Sequence, residues 1–501
     1  MNSAVTEESG DNPQPAQPEV TLPAQSWVRS LIADVFRVTG STFLGQAVGF
    51  VAFLVMARQL GPAVYGEWQT LQILVPYLGF VAIGSIQGLH RELPILRGRG
   101  DTEQAEHVIQ ATFSFAGLTS LIASLLLCLA AASGKMRQPL PFGLVGLALF
   151  CVFDMLAGVY GHIFRGENRY DLLGRANIVS GLSNLFYPAL AAFWMFRGAV
   201  AAQVLGAAAV LIYSAAIYPV RFRFTLPWPL IRKQIAIGFP IMLLTAIALV
   251  GRTVDRYLIL GFLTPAHLGY YMAASMFFAP LNLIFNGLNA VLYTRQGLSY
   301  GKDASDPMVR QLVVRPLEAM AGIVFPAAAA LAVGLPEVVG FILPKYLPGV
   351  VSAQIILLGL SFYLTLSTGA SVLFVLGRSY SIYISYAVMI LLNGSIGYFF
   401  LRNGWGLAGA AIGASSGYIG SGLVTVGLSL TALGLTRDEI RATAGKLLGP
   451  FFWCVGIAAA LLFAFRHTPA SPLSFCLKMG LCLLGTAWVV RPALSGIMRR
   501  R

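Results

Sequence analysis

Three charged residues lie close together inside one long apolar segment: Arg252, Asp255 and Arg256. A charge at the centre of a bilayer costs about 2.5–3.5 kcal/mol on insertion scales, so it needs a partner or a ligand. The spacing predicts an ion pair between Arg252 and Asp255 that leaves Arg256 over, near the outer boundary of the bilayer. A spare cation is suited to binding an anion such as a pyrophosphate, and Arg252 is the deeper candidate. In the alternative interpretation the cluster is self-neutralised and Arg256 reaches towards the membrane surface.

Two further charges stand apart from any partner in the sequence. Arg37 lies near the inner end of the first apolar segment, where it either receives an anionic group or anchors the segment at the surface. Asp154 lies in mid-segment between Phe153 and Met155, with no basic residue within a helical turn. Loss of water favours the protonated form of a lone carboxylate, so Asp154 is suited to loading and releasing a proton or sodium ion. Alternatively, it is a hydrogen-bonded carboxyl that holds helices together.

Amides and tyrosines recur at helical spacing on three other segments. The sets are Asn282, Asn286 and Asn289 with Tyr293; Asn177, Ser180 and Asn184; and Tyr380, Tyr383 and Tyr386. Such a face should avoid lipid. It either hydrogen-bonds a polar ligand in a cavity or joins helices, at about 0.6 kcal/mol per bond.

Long apolar segments carry all of these residues. Of 501 residues, 57% are hydrophobic and only 11% are charged, which excludes an ordinary soluble domain. Because about 20 apolar residues span a bilayer, the pattern predicts an all-α polytopic membrane protein with about fourteen transmembrane helices. We place them near 32–57, 68–90, 109–132, 142–164, 174–196, 199–220, 236–260, 269–292, 314–334, 350–376, 380–401, 405–433, 447–466 and 473–491.

A short motif repeats between the two halves of the chain. Leu60–Trp68 recurs in altered form as Leu263–Tyr271, each copy a predicted tight turn with a proline, a glycine and terminal aromatics. We expect Gly66 and Gly269 to form the reversals and the aromatics to lie at the membrane interface. Six segments per period return the chain to the same side, which predicts two parallel six-helix bundles.

Lysine and arginine sort into alternate loops and set the predicted orientation. With the amino terminus inside, most of the 34 basic residues fall in inner stretches, which is a positive-inside pattern. The net charge of +14 therefore reflects topology and not nucleic-acid binding. The predicted organisation is a disordered cytoplasmic tail (1–29), an N-terminal bundle (30–221), an amphipathic linker (222–234), a C-terminal bundle (235–435), and accessory helices 13 and 14 with a basic cytoplasmic tail (436–501).

The sequence shows no enzyme signature. The five cysteines lie in apolar segments without metal-ligand spacing, the histidines are expected to form no cluster, and no phosphate-cradling loop is present. We therefore expect no catalytic residues, no metal and no cofactor.

The repeat and its surroundings resemble a known family. Leu60–Trp68 with Arg91-Glu92-Leu93 resembles the first hairpin of polysaccharide and O-antigen lipid flippases, which belong to the multidrug/oligosaccharidyl-lipid/polysaccharide exporter superfamily. Gly238-Phe239-Pro240, Asp255-Arg256-Tyr257 and Gly269-Tyr270-Tyr271 resemble the start of their second half. Leu335-Pro336-Glu337 with Lys345-Tyr346 resembles their turn before the tenth helix.

The resemblance implies a function. It implies an inner-membrane flippase that moves undecaprenyl-pyrophosphate-linked oligosaccharide by alternating access, for O-antigen, capsule or exopolysaccharide synthesis. Arg37, Arg252, Arg256, Asn282, Asn286 and Asn289 are then candidate substrate-binding residues, and Asp154 is a candidate ion-coupling residue. The implied partners are the lipid-linked substrate, membrane lipids, and a polysaccharide polymerase with chain-length machinery. The rivals are a cation-coupled multidrug exporter and a membrane glycan polymerase or glycosyltransferase.

Overall fold

A computed structural model describes residues 24–134, 137–220, 222–278, 307–366, 368–466, 468 and 471–498. The helices of the first half are α1 (Ala24–Gln72), α2 (Val75–Leu78), α3 (Ser85–Gly98), α4 (Thr102–Ala132), α5 (Leu140–Gly166), α6 (Tyr170–Ser183) and α7 (Phe186–Ile217). Those of the second half are α8 (Trp228–Gly251), α9 (Val254–Phe262), α10 (Pro265–Ser275), α11 (Pro307–Ile342), α12 (Val350–Leu366), α13 (Thr368–Val375), α14 (Ile382–Arg402) and α15 (Gly406–Ala432). Two helices follow, α16 (Arg437–Ala464) and α17 (Pro472–Met498).

The all-α polytopic fold predicted from the sequence is confirmed. Within the described residues, 11 helical ranges are long and apolar enough to cross a membrane. One of them, Tyr170–Ile217, holds the fifth and sixth predicted spans, with a non-helical residue at Met195. The predicted eighth span lies largely outside the described residues. The predicted linker is non-helical over 222–227 and enters α8 at Trp228.

Local sequence signals set several helix ends. The Asp101 carboxylate accepts a hydrogen bond from the backbone N–H of Gln104 at 3.1 Å and caps α4. Thr436 and Glu439 form a capping box at the start of α16. Pro265 occupies the first turn of α10, where its missing N–H costs no helical bond.

The two copies of the repeated motif face each other. The chain reverses at Gly61, which has φ 71°, and in the second copy at Leu263 and Thr264. The prediction that Gly66 and Gly269 form the reversals is therefore wrong. Both glycines are helical, and each lies against the other copy.

Close approach explains these two glycines. A Cβ atom at Gly66 would collide with the carbonyl oxygen of Pro265, and one at Gly269 with that of Pro62. The reciprocal contact places a pseudo-two-fold axis between the halves at this end of the molecule. Trp68 and Tyr271 are 3% and 2% exposed, so they belong to the core and not to the membrane interface as predicted. The largest apolar cluster includes both side chains and draws on both halves.

Further contacts reinforce this end. The Tyr346 hydroxyl donates to the carbonyl oxygen of Ala57 at 2.7 Å, and its ring packs edge-on against Tyr65 with centroids 6.0 Å apart. We call the region formed by Leu60–Trp68, Leu263–Tyr271 and Tyr346 the motif contact. It joins the halves at the end that the predicted topology places outside.

A second contact joins the halves towards the opposite end. Gly84 and Gly88 of the first half lie against Gly238 and Gln234 of α8, where added Cβ atoms would meet backbone. Lys233 pairs with Glu92, and the fully buried Gln234 donates to the Thr112 hydroxyl at 2.8 Å. We call this region the α3–α8 contact.

Glycines also pack α15 on α14. Added Cβ atoms at Gly409, Gly413 and Gly417 would stand 2.5–2.9 Å from atoms of the facing helix. Small residues let apolar helices approach closely where no water drives association. This closely packed helix pair carries Tyr386 and Tyr418, which are described below.

Candidate functional site

Arg252 lies where a membrane helix breaks. The α-helix ends at Gly251 and resumes at Val254, leaving Arg252 and Thr253 in a turn. The Thr253 hydroxyl donates back to the carbonyl oxygen of Leu249 at 3.0 Å and lies 2.6 Å from the Tyr77 hydroxyl of the first half. Asn393 donates to the freed carbonyl of Gly251 at 3.2 Å. Side chains thus satisfy the polar groups of the break, as backbone at this depth requires.

The Arg252 guanidinium is held by tyrosines. Its Nη2 atom donates to the Tyr363 hydroxyl at 3.3 Å, and its central carbon lies 5.9 Å from the Tyr363 ring centre. Tyr386 and Tyr418 also lie within electrostatic range, and the Tyr363 and Tyr418 rings are 5.5 Å apart. We call Tyr363, Tyr386 and Tyr418 the tyrosine cluster.

Arg252 is accessible despite this enclosure. Three different helices supply the tyrosine cluster, α12, α14 and α15, yet the Arg252 side chain is exposed. The Arg252 guanidinium is therefore exposed at the helix break, beside the tyrosine cluster. Within the described residues no carboxylate pairs with it, so the positive charge is available to a ligand.

The predicted pair between Arg252 and Asp255 is wrong. Asp255 is 5% exposed, accepts a hydrogen bond from the Tyr271 hydroxyl, and has Arg256 as its charged neighbour. The break at Thr253 separates Arg252 from Asp255, because i and i+3 side chains align only along a continuous helix. The spare cation is therefore Arg252, and Arg256 is the half-buried residue beside the acid. A ligand role for Arg256 stays a prediction.

Asp154 faces the interior of the N-terminal bundle without a cationic partner in the described residues. Its side chain is exposed, and its electrostatic neighbours are the Cys151 thiol and the Tyr187 hydroxyl. The Tyr187 ring packs against Phe53 at 5.0 Å. Phe53 in turn lines the cavity described next, so Asp154 lies close to that cavity.

A cavity of about 510 Å³ lies between α1 and α6. We call it the N-bundle cavity. Its polar lining consists of Thr42, Gln46, Arg165, Asn177, Ser180 and Asn184. The stripe of Asn177, Ser180 and Asn184 noted in the sequence therefore faces a cavity. Asn177 donates to the Thr42 hydroxyl at 3.3 Å, and the other members of the stripe face the open volume.

The remaining candidates from the sequence lie outside the described residues or have other partners. Asn282, Asn286 and Asn289 lie outside the described residues. Arg37 lies in α1, but side chains before Gly40 are outside the description. Tyr386 joins the tyrosine cluster, whereas the Tyr383 hydroxyl donates to the carbonyl oxygen of Pro240 at 3.3 Å.

Sequence reasoning missed Tyr363, Tyr418, Gln46 and Arg165. The tyrosines stand singly in apolar segments, so no helical stripe marked them. A stripe across α1 at Thr42, Gln46 and Gly49 could have indicated Gln46.

Two histidines come together, contrary to the expectation that none would. The His90 and His162 rings have centroids 5.3 Å apart, and both lie within electrostatic range of Arg165. They come from α3 and α5, so only the packing of these two helices brings them close.

The fold defines a class of protein: a polytopic α-helical membrane protein built from two bundles. Similar solved structures include one described as "Lipid II flippase MurJ, inward closed conformation", with a TM-score of 0.70, 16% identity, and coverage of 92% of this chain and 98% of that chain. A multidrug resistance MATE family transporter of the MOP superfamily, inward-facing, is similar at a TM-score of 0.64 and 14% identity, over 80% of this chain and 95% of that chain. At these identities the similarity establishes the fold.

The family follows from the sequence match. Residues 31–293 match the family described as "Polysaccharide biosynthesis protein", and the chain belongs to that family. No curated protein sequence gives a significant match. The resemblance to polysaccharide proteins seen in the repeated motif is thereby confirmed at the level of the family.

Proposed function

We propose that this protein carries undecaprenyl-pyrophosphate-linked oligosaccharide across the bacterial inner membrane by alternating access. One observation carries the proposal: Arg252, an accessible arginine without a carboxylate partner in the described residues, at a helix break inside a membrane bundle. Such a cation is costly unless it serves a ligand. A pyrophosphate supplies the matching charge. Membership of the polysaccharide biosynthesis family supports the glycan.

The orientation belongs to the same proposal. Both termini are cytoplasmic, as the distribution of basic residues predicts. The motif contact then closes the outer end, and substrate enters from the inner leaflet. A polysaccharide polymerase and chain-length machinery would receive the product, and the surrounding lipids accommodate the tail.

A cation-coupled multidrug exporter is the second candidate, because the MATE transporter shares the fold. An exporter of cationic drugs needs acidic contacts where its substrate binds. The described lining of the N-bundle cavity includes Arg165 and no carboxylate, and the tyrosine cluster surrounds Arg252. Charge repulsion disfavours a cation beside Arg252. A glycan polymerase or glycosyltransferase is not favoured by any observed constellation.

Transport into vesicles tests Arg252. Arg252→Ala should lower flipping of a labelled lipid-linked oligosaccharide roughly tenfold or more, since a hydrogen bond to a charged group contributes about 1.5–3 kcal/mol. Arg252→Lys should retain part of the activity, because the charge remains and only the planar fork is lost. Arg402→Ala is the matched control, since Arg402 is exposed in the last turn of α14. Normal transport by Arg252→Ala at equal protein level would refute the role.

A further inference from the structure

The N-bundle cavity combines polar side chains that have no partner with a volume suited to a small ligand. Its roughly 510 Å³ lie within the range of about 300–1,000 Å³ that ligand sites occupy. No hydrogen bond engages the side chains of Gln46, Ser180 and Asn184 in the described part of the chain, and Gln46 and Ser180 are exposed. Side chains that only joined helices would be bonded across the interface, as Asn177 is to Thr42 at 3.3 Å.

Two glycines create this arrangement. A Cβ atom at Gly45 would stand 3.3 Å from the Cα atom of Gly181, so α1 and α6 meet almost backbone to backbone. At Gly49 an added Cβ would lie 2.9 Å from the side-chain nitrogen, Nδ2, of Asn184. Close approach at these points brings the amides and hydroxyls of both helices to one wall.

The donor and acceptor set indicates the ligand. A carboxamide offers both donors and acceptors, a serine hydroxyl offers both, and Arg165 offers N–H donors only. This mixture matches sugar hydroxyls, each of which donates and accepts. Among the described residues that line the cavity, Arg165 is the charged member and none is a carboxylate.

We propose that the N-bundle cavity is a saccharide-binding subsite that holds sugar residues of the substrate while Arg252 holds its anionic group. The inference rests on the proposed function and deepens it. It divides recognition between the bundles: Arg252 in the C-terminal bundle binds the pyrophosphate, and α1 and α6 bind hydroxyls. Glycans with different hydroxyl patterns are then distinguished at Gln46, Asn177, Ser180 and Asn184.

Binding of two lipids to the purified full-length protein in nanodiscs separates the two claims. One probe is undecaprenyl pyrophosphate, and the other is undecaprenyl pyrophosphate bearing an oligosaccharide. The native protein should bind the sugar-bearing lipid more tightly. A double variant, Gln46→Met with Ser180→Ala, should bind it about five- to a hundredfold more weakly, as expected for two lost net hydrogen bonds. Its affinity for the sugar-free lipid should not change.

Ser183→Ala is the matched control on the same helix. Ser183 is 9% exposed and packs on Gly206 with its hydroxyl donating to the Ser180 carbonyl oxygen at 2.8 Å, away from the cavity. It should leave both affinities unchanged. Because Gln46 and Ser180 are exposed, the double variant should fold, and equal melting temperatures verify this.

The outcomes are distinct. If the double variant, but not Ser183→Ala, no longer binds the sugar-bearing lipid more tightly than the sugar-free lipid, the subsite is supported. If both lipids bind the double variant as they bind the native protein, the subsite is refuted and the proposed function stands. If the native protein binds neither lipid, the proposed function is refuted and the subsite with it.

Discussion

A single helix break decides which arginine is free. In a continuous helix Arg252 would face Asp255 and be neutralised. The turn at Arg252 and Thr253 redirects the guanidinium to the tyrosine cluster, and Asp255 goes to Tyr271 and Arg256. The residue types indicated a spare cation in the sequence, but its identity depended on backbone geometry that the apolar pattern does not show.

Asp154 is proposed as the ion-coupling residue. Its exposed carboxyl lies near Tyr187 and has no cationic partner in the described residues. A change of surroundings between two conformations would then load and release a proton. Asp154→Asn should fold and bind substrate, but its transport in vesicles should no longer respond to an imposed pH or sodium gradient.

A buried aspartate with an assigned partner is the control for this prediction. Asp255→Asn disturbs the bond from Tyr271 and should lower the amount of folded protein rather than alter the gradient response. If Asp154→Asn responds to the gradient as the native protein does, the coupling lies elsewhere.

Helices were easier to predict than the way they meet. Long apolar runs located the spans because a bilayer allows few alternatives to a helix. Position within the bundle was harder to predict: Trp68 and Tyr271 resemble interface anchors in sequence yet lie in the core. The glycines of the motif suggested a turn, whereas their use is close packing, which requires knowledge of the facing helix.

The accessory helix α17 is joined to the bundle by a buried ion pair. Lys478 pairs with Glu337 of α11, with side-chain exposures of 7% and 9%. Lys478→Ala should destabilise the protein by about 3–5 kcal/mol, because it leaves the Glu337 carboxylate buried without its partner. Replacing both residues by apolar ones, Lys478→Met with Glu337→Leu, should recover most of this loss.

Thermal unfolding in detergent measures the difference. Lys446→Ala is the matched control, since Lys446 pairs with Glu318 at 3.0 Å but is 65% exposed. Exposed pairs contribute about 0–1 kcal/mol, so its unfolding temperature should hardly change. Equal effects of Lys478→Ala and Lys446→Ala would contradict a stabilising role for the buried pair.

At the scale of the whole molecule, both contacts between the halves are formed at once. The motif contact joins α1 to α10, and the α3–α8 contact joins the halves towards the opposite end. The proposed alternating access requires that each contact can open while the other holds. The motif contact is largely apolar and tightly packed, so added side-chain volume should open it. The α3–α8 contact includes the Lys233–Glu92 pair, so removal of a charge should weaken it.

Gly66 tests the motif contact. Gly66→Ala places a methyl group against the backbone carbonyl of Pro265, which cannot yield as a flexible side chain would, so the closed contact should become unfavourable. Transport should fall, and a cysteine introduced at the buried Ala57 should react with a maleimide several-fold faster. Gly158→Ala is the matched control, because a Cβ at Gly158 meets no atom within 4 Å. Should Ala57→Cys react equally in the Gly66→Ala and Gly158→Ala backgrounds, opening and closing would have to occur without separation of the two motif copies.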